Sequence, residues 1–176
     1  MKRKDIKSEI TEYFFINPAS KLRVREIERI LKLPLPSVIR YCKELENEEI
    51  LTIMRIGNVR FYHANNSQRY LLEKKLYNIR KLYESGLIEF LRQELSNSPI
   101  VLFGSFAKGE DMEESDIDLY IETPLKKILA LDKFEKNLKR KIQTFQYKSL
   151  NEISNIHLAN NIVNGITLNS YIEVFK

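Results

Sequence analysis

Two acidic residues separated by one position, Asp116 and Asp118, open a short apolar run through Leu119, Tyr120 and Ile121. Upstream, a first apolar run from Ile100 to Phe103 stops at Gly104-Ser105, and ten residues separate Ser105 from Asp116. This pattern predicts strand, turn, strand. Side chains two apart on an extended chain point the same way, about 7 Å apart at a rise of roughly 3.3 Å per residue. Carboxylates so placed repel each other unless a cation sits between them, and Mg²⁺ characteristically takes one or two carboxylates plus phosphate oxygens and water. A glycine lets the backbone approach an anion, and free amides at a turn into a short helix attract phosphate. The combination describes a site for a metal-bound nucleoside triphosphate: Asp116 and Asp118 as metal-holding catalytic residues for Mg²⁺ (or Mn²⁺), Gly104 and Ser105 as the phosphate cradle. Solvated aspartates on an edge hairpin would look similar. Against that, the run that carries them is apolar enough to be buried, where an unpaired charge is costly.

A chain of 176 residues accommodates one large domain or two small ones, and a composition 43% hydrophobic and 30% charged suits a globular protein. No stretch approaches the roughly 20 apolar residues of a membrane span, and the basic start Met1-Lys2-Arg3-Lys4 leads into no signal-peptide core. The one cysteine, Cys42, excludes an internal disulfide and a cysteine-based zinc site. A cytoplasmic protein is expected. The net charge of +5 is uneven: residues 1–66 hold 13 basic and 9 acidic side chains, the remainder 16 and 15. An excess in the first part favours nucleic-acid contact there, and serves solubility equally well.

Helical spacing predicts a helix over Asp5–Ile16, a second from Val24 to Leu31 with Val24, Ile27, Ile30 and Leu31 inward, and a third from near Pro36 with Val38, Cys42 and Leu45 inward. Two strand-like runs, Ile50 to Arg55 and Val59 to His63, flank a Gly57-Asn58 turn. Residues 67–84 predict a connecting helix with Leu72, Leu76, Ile79 and Tyr83 on one stripe, suited to packing on the first domain or on a second copy of the chain. Beyond Ser85-Gly86 come a further amphipathic helix, the two strands of the site, a helical face over Leu125–Leu138, a strand Lys141–Tyr147, a helix Ile153–Asn164 with Gly165 as C-cap, and a tail suited to an edge strand or a docking segment.

The Gly104-Ser105 and Asp116-x-Asp118 pattern, with Gly109 in the loop and Ser115 before the first aspartate, resembles the DNA polymerase beta-type nucleotidyltransferases, most of all the minimal nucleotidyltransferases of prokaryotes. Three helices followed by a hairpin is the order of a winged helix-turn-helix, and the segment Arg25 to Asn66 resembles the winged-helix domains of prokaryotic transcription regulators. The resemblances imply an α+β chain in three parts: a winged helix at 1–66, a connecting helix at 67–84, and a small nucleotidyltransferase-like mixed sheet flanked by helices at 85–176. They imply transfer of a nucleotidyl group from a nucleoside triphosphate, ATP foremost, to a hydroxyl on a small molecule or a protein. They also imply double-stranded DNA as a partner, with Ser37, Arg40, Tyr41 and Lys43 on the groove-facing third helix, Arg55 and Arg60 at the wing tip, and homodimerisation as in many regulators.

The resembled family carries a third acid on the strand after the long helix. Here that position aligns with Gln143, which cannot accept a proton near neutral pH. A second function follows from that departure: a DNA-binding regulator whose impaired transferase fold senses nucleotide or dimerises. Glu110, Asp111, Glu113 and Glu114 form an acidic loop expected to face solvent, Lys108 stands near the phosphate cradle, and Glu122 is expected to cap the sheet.

Overall fold

The computed structural model describes residues 5–174, so the basic residues before Asp5 and the last two residues of the tail lie outside it. Two compact units, Met1–Lys74 and Lys75–Lys176, meet inside one long helix, Gln68–Glu84. The helix expected as a separate connector is therefore shared between the units.

In the first unit, helices α1 (Ile6–Ile16), α2 (Val24–Leu31) and α3 (Leu35–Asn47) precede an antiparallel hairpin of β1 (Leu51–Ile56) and β2 (Val59–Ala64). Asp5 caps α1 by accepting the Ser8 backbone N–H at 3.3 Å. Pro36 stands in the first turn of α3, where a missing N–H costs nothing. The hairpin turns at Gly57, whose φ of +58° suits a residue without a Cβ. Ile10, Phe14, Ile27, Val38, Cys42 and Leu45 form the buried set, and burial pushes the Cys42 thiol up to about 12, which makes it inert at neutral pH. Ile30, expected inward, is 48% exposed; the chain turns through left-handed Lys32 and buries Leu33 instead.

The second unit is built on a four-stranded mixed sheet. Its strands are β3 (Ile100–Phe103), β4 (Ile117–Glu122), β5 (Ile142–Tyr147) and β6 (Ile166–Asn169), in the order β5-β4-β3-β6. β4 and β5 run parallel; the other pairs are antiparallel. Alternation explains the uninterrupted apolar runs. Ile100 and Leu102 with Ile117, Leu119 and Ile121 face one hydrophobic cluster, and Val101 and Phe103 with Tyr120 face a second. Helices cover both faces. The shared helix, α4 (Gln68–Glu84), contributes Leu82 and α5 (Leu87–Glu94) contributes Leu87, Ile88 and Leu91 to the first cluster; α8 (Ile156–Val163) contributes Ile162 to the second. Between β3 and β4 lies the short helix α6 (Gly104–Lys108), and between β4 and β5 lies α7 (Asp132–Leu138).

Three expectations need correction. The helical face over Leu125–Leu138 shrinks to α7, and Ile128 is fully exposed. At the sheet edge the Gln146 side chain bonds the backbone of Lys127 in both directions, accepting its N–H at 3.2 Å and donating to its carbonyl at 3.0 Å. It thereby ties the segment before α7 to β5 outside any helix. On α4, Leu72 and Leu76 are about half exposed, and the buried row is Tyr70, Lys74, Asn78 and Leu82. Gly165 is not a left-handed cap. Asn164 caps α8, and a Cβ on Gly165 would stand 2.6 Å from the Leu102 carbonyl and 2.9 Å from that of Ile162. Those obstacles are backbone and cannot swing aside, so Gly165→Ala is expected to lower stability in urea denaturation by about 2 kcal/mol. No helix among the described residues is long and apolar enough to cross a membrane.

Candidate active site

β3 ends at Phe103 and the chain bends at once through Gly104, at φ +75°, into α6. The bend lies against β4, where Phe103 is paired with Asp118. A Cβ on Gly104 would collide with Asp118 Oδ2 and lie 3.3 Å from its Cγ, so only glycine lets the backbone pass this close to the carboxylate. Ser105, half-buried in the first turn of α6, accepts the N–H groups of Gly109 and Glu110 with its backbone carbonyl.

Asp118 shares the row of Tyr120 and Glu122 on the second face of the sheet and is half-buried; Asp116 stands exposed one residue ahead of β4. Burial, and then the like charge of Asp116, push the Asp118 carboxyl above the ordinary carboxylate range. The two acids are thus electrostatically coupled at the strand head beside the glycine bend. The parallel register of β4 and β5 sets Gln143 directly beside Asp118. Phe103, Asp118 and Gln143 form one row across three strands, with Gln143 exposed.

A divalent cation fits this donor set. Asp116 and Asp118 are two coupled hard oxygen donors whose repulsion a cation would relieve, and the Gln143 carbonyl is a neutral third beside them. No cluster of three or more His, Cys, Asp or Glu side chains suited to a metal occurs among the described residues. Because the folded state raises the Asp118 carboxyl, ionised Asp118 costs stability at neutral pH, and the cost disappears below about pH 3.8, the ordinary value. Asp118→Asn is expected to raise metal-free stability at pH 7 by at most about 1 kcal/mol, since solvent screens a half-exposed group. The gain should vanish in acid; urea denaturation at pH 7 and pH 3 measures both.

The other acids are accounted for. Glu122 accepts the Tyr120 hydroxyl at 3.0 Å at the far end of β4. Glu135 accepts from Lys141 Nζ at 2.8 Å and from the Ile142 N–H at 3.0 Å, contacts that hold its carboxyl below the ordinary range. The acidic loop does not all face solvent. Asp111 is buried at 1% exposure, 2.8 Å from Asn78 Nδ2 and 3.6 Å from an Arg140 nitrogen. Sequence periodicity missed Asn78 and Arg140 as its partners, although the four-residue spacing of Tyr70, Lys74, Asn78 and Leu82 marks a stripe. Lys108 is exposed at the end of α6. Next to Asp116, a cavity of about 390 Å³ is lined by Asp132, Lys136, Lys139 and Lys141 among others.

The residues named for DNA contact lie in the first unit. On α3, Arg40 and Lys43 are exposed, and Ser37 and Tyr41 are half-buried. Arg40 stacks over the Tyr41 ring at 4.3 Å and approaches Glu44 to 3.7 Å. Arg55 and Arg60 are exposed and directly opposite each other across the hairpin, two residues from its turn.

Residues 84–161 match the family model of the nucleotidyltransferase domain. That stretch contains the glycine bend, both aspartates and Gln143, and the α+β unit with its helix-flanked mixed sheet is consistent with such a domain. The second unit is thus similar to a nucleotidyltransferase domain. No curated protein matches the chain.

Proposed function

We propose that the second unit transfers a nucleotidyl group from a nucleoside triphosphate, ATP foremost, to a hydroxyl on a small molecule or a protein. The observation that supports this reading is the passage of the Gly104 backbone against Asp118, which brings the glycine bend beside a coupled carboxylate pair. Asp116 and Asp118 would hold Mg²⁺ or Mn²⁺, and Gly104 and Ser105 would receive the β- and γ-phosphates. A bound cation would supply neutralisation of charge building on the phosphoryl oxygens. The acceptor oxygen attacks the α-phosphorus, the bond to pyrophosphate breaks and pyrophosphate leaves, and the hydroxyl proton passes to solvent water. The hollow beside Asp116 is large enough for a small acceptor or a protein side chain. Gln143 can orient the acceptor hydroxyl but cannot take its proton, so the reaction is slow. Incubation with labelled ATP, Mg²⁺ and candidate acceptors tests the proposal. Label transferred above the level of Asp116→Ala is the expected result, and transfer no greater than that level refutes it.

A second reading rests on two observations: the amide at Gln143, and the Arg55–Arg60 pair. In it the chain is a DNA-binding regulator, its first unit a winged helix, whose transferase fold binds nucleotide or dimerises without turnover. Like charges directly opposite across a hairpin destabilise it, and a phosphate set between two guanidiniums would reverse that cost. Replacing Arg55 and Arg60 together by alanine is expected to weaken duplex binding about tenfold at low salt and to flatten the salt dependence by one to two counterions. Fluorescence anisotropy with duplex DNA across a salt series measures both. Wild-type protein that binds no duplex at low salt removes the DNA partner.

A further inference from the structure

The ten residues between Ser105 and Asp116 contain the last turn of α6 and then no helix or strand, yet they must hold the phosphate bend and the carboxylates at one separation. Two small turns shape the stretch. The Ser105 carbonyl accepts the N–H of Glu110 at 3.0 Å, and Ser115 Oγ accepts the N–H of Met112 at 2.9 Å. Neither turn ties the stretch to the rest of the unit. Asp111 does: it is buried between exposed Glu110 and exposed Met112.

We propose that Asn78, Asp111 and Arg140 form a buried polar clasp that positions the two halves of the active site against each other. Asn78 Nδ2 has two hydrogens. One goes to the Phe106 carbonyl in α6 at 2.9 Å and the other to Asp111 Oδ1 at 2.8 Å, so one side chain of α4 joins the helix after the bend to the loop before Asp116. The other Asp111 oxygen lies 3.6 Å from Arg140, whose side chain is 6% exposed. Next to Arg140, Lys141 offers its carbonyl to the Ile117 N–H at 2.8 Å, the bond that begins the β4–β5 register and sets Gln143 beside Asp118. The clasp therefore ties together the bend, the loop that delivers Asp116 and the strand that carries Gln143. Asn78 and Asp111 are buried and Arg140 borders the hollow beside Asp116, so the three act on the ligand through the residues they hold, as positioning groups. A buried charge pair contributes little net stability but is costly to break, and a displacement of about 1 Å at the reacting centre can cost a hundredfold.

The role in substrate positioning rests on the transferase reading; the role in fixing the loop does not. The full chain with Asn78→Ala is to be compared with wild type and with Leu91→Ala, a core truncation on α5 in the same unit. Asn78→Ala is expected to speed amide hydrogen exchange across residues 106–116 at least tenfold and to weaken Mg-ATP binding about tenfold by calorimetry. Leu91→Ala should lower the melting temperature without either local effect. Should Asn78→Ala fail to fold, Asp111→Asn takes its place with the same two readouts; it keeps an acceptor for Asn78 and loses only the charge facing Arg140. Exchange in 106–116 no faster than in Leu91→Ala overturns the clasp. Wild-type protein that binds no Mg-ATP overturns the transferase reading alone, and the exchange comparison still decides the clasp.

Discussion

Gln143→Glu is expected to raise nucleotidyl transfer to a hydroxyl acceptor by about a hundredfold, the lower end of what a positioned general base contributes. The substitution is isosteric, and position 143 is exposed and paired in register with Asp118, so the new carboxylate enters the existing row without repacking. Two side effects follow from its charge. A third carboxylate beside Asp118 and Asp116 adds repulsion, so the metal-free variant should melt below wild type at pH 7. The same charge should tighten binding of Mn²⁺ or Mg²⁺. Rates with labelled ATP across pH 5–8, with melting curves with and without metal, measure all three. The rate should also gain a limb that rises through the carboxylate range, absent from wild type. A variant that binds metal more tightly and still transfers nothing would leave the regulator reading in possession of the second unit.

Gly104→Ala is expected to reduce transfer by about a hundredfold while lowering stability by about 1–2 kcal/mol. The two effects separate because of what the added methyl meets. A left-handed φ of +75° costs an alanine roughly 1–2 kcal/mol, but the obstacle is the end of the Asp118 side chain, which can rotate away. Rotation spares the fold and moves from its place an oxygen proposed to hold the metal, a misplacement to which phosphoryl chemistry is sensitive. Gly165→Ala is the contrast, since its Cβ meets backbone carbonyls and the cost falls on folding. Steady-state rates beside urea denaturation distinguish the pair. A Gly104→Ala protein as active as wild type would show that the bend does not meet the substrate.

How much of this was legible in one dimension differs from element to element. The strands of the site were readable because Ile100–Phe103 and Ile117–Ile121 are apolar enough to require burial, and Gly104-Ser105 marks the bend between them. The helix over 125–138 was over-read because hydrophobic spacing does not reveal that Gln146, some twenty residues on, supplies the hydrogen bonds that tie Lys127 to β5 outside any helix. Asp111 was misjudged for a similar reason. An acid among acids in a loop looks solvated unless a cation waits in the interior, and Arg140 comes 29 residues later.

The sequence alone determined the chemistry on offer: two carboxylates separated by one residue and a glycine-serine bend ten residues before them. Those are properties of residue type and local spacing, which a chain carries whether folded or not. Only the tertiary structure decided that the bend lies against Asp118, that Gln143 is its direct neighbour, and that Asn78 and Arg140 enclose Asp111. Each is a pairing between distant segments, whose free energy depends on which polar groups share a buried volume, and no local pattern encodes that.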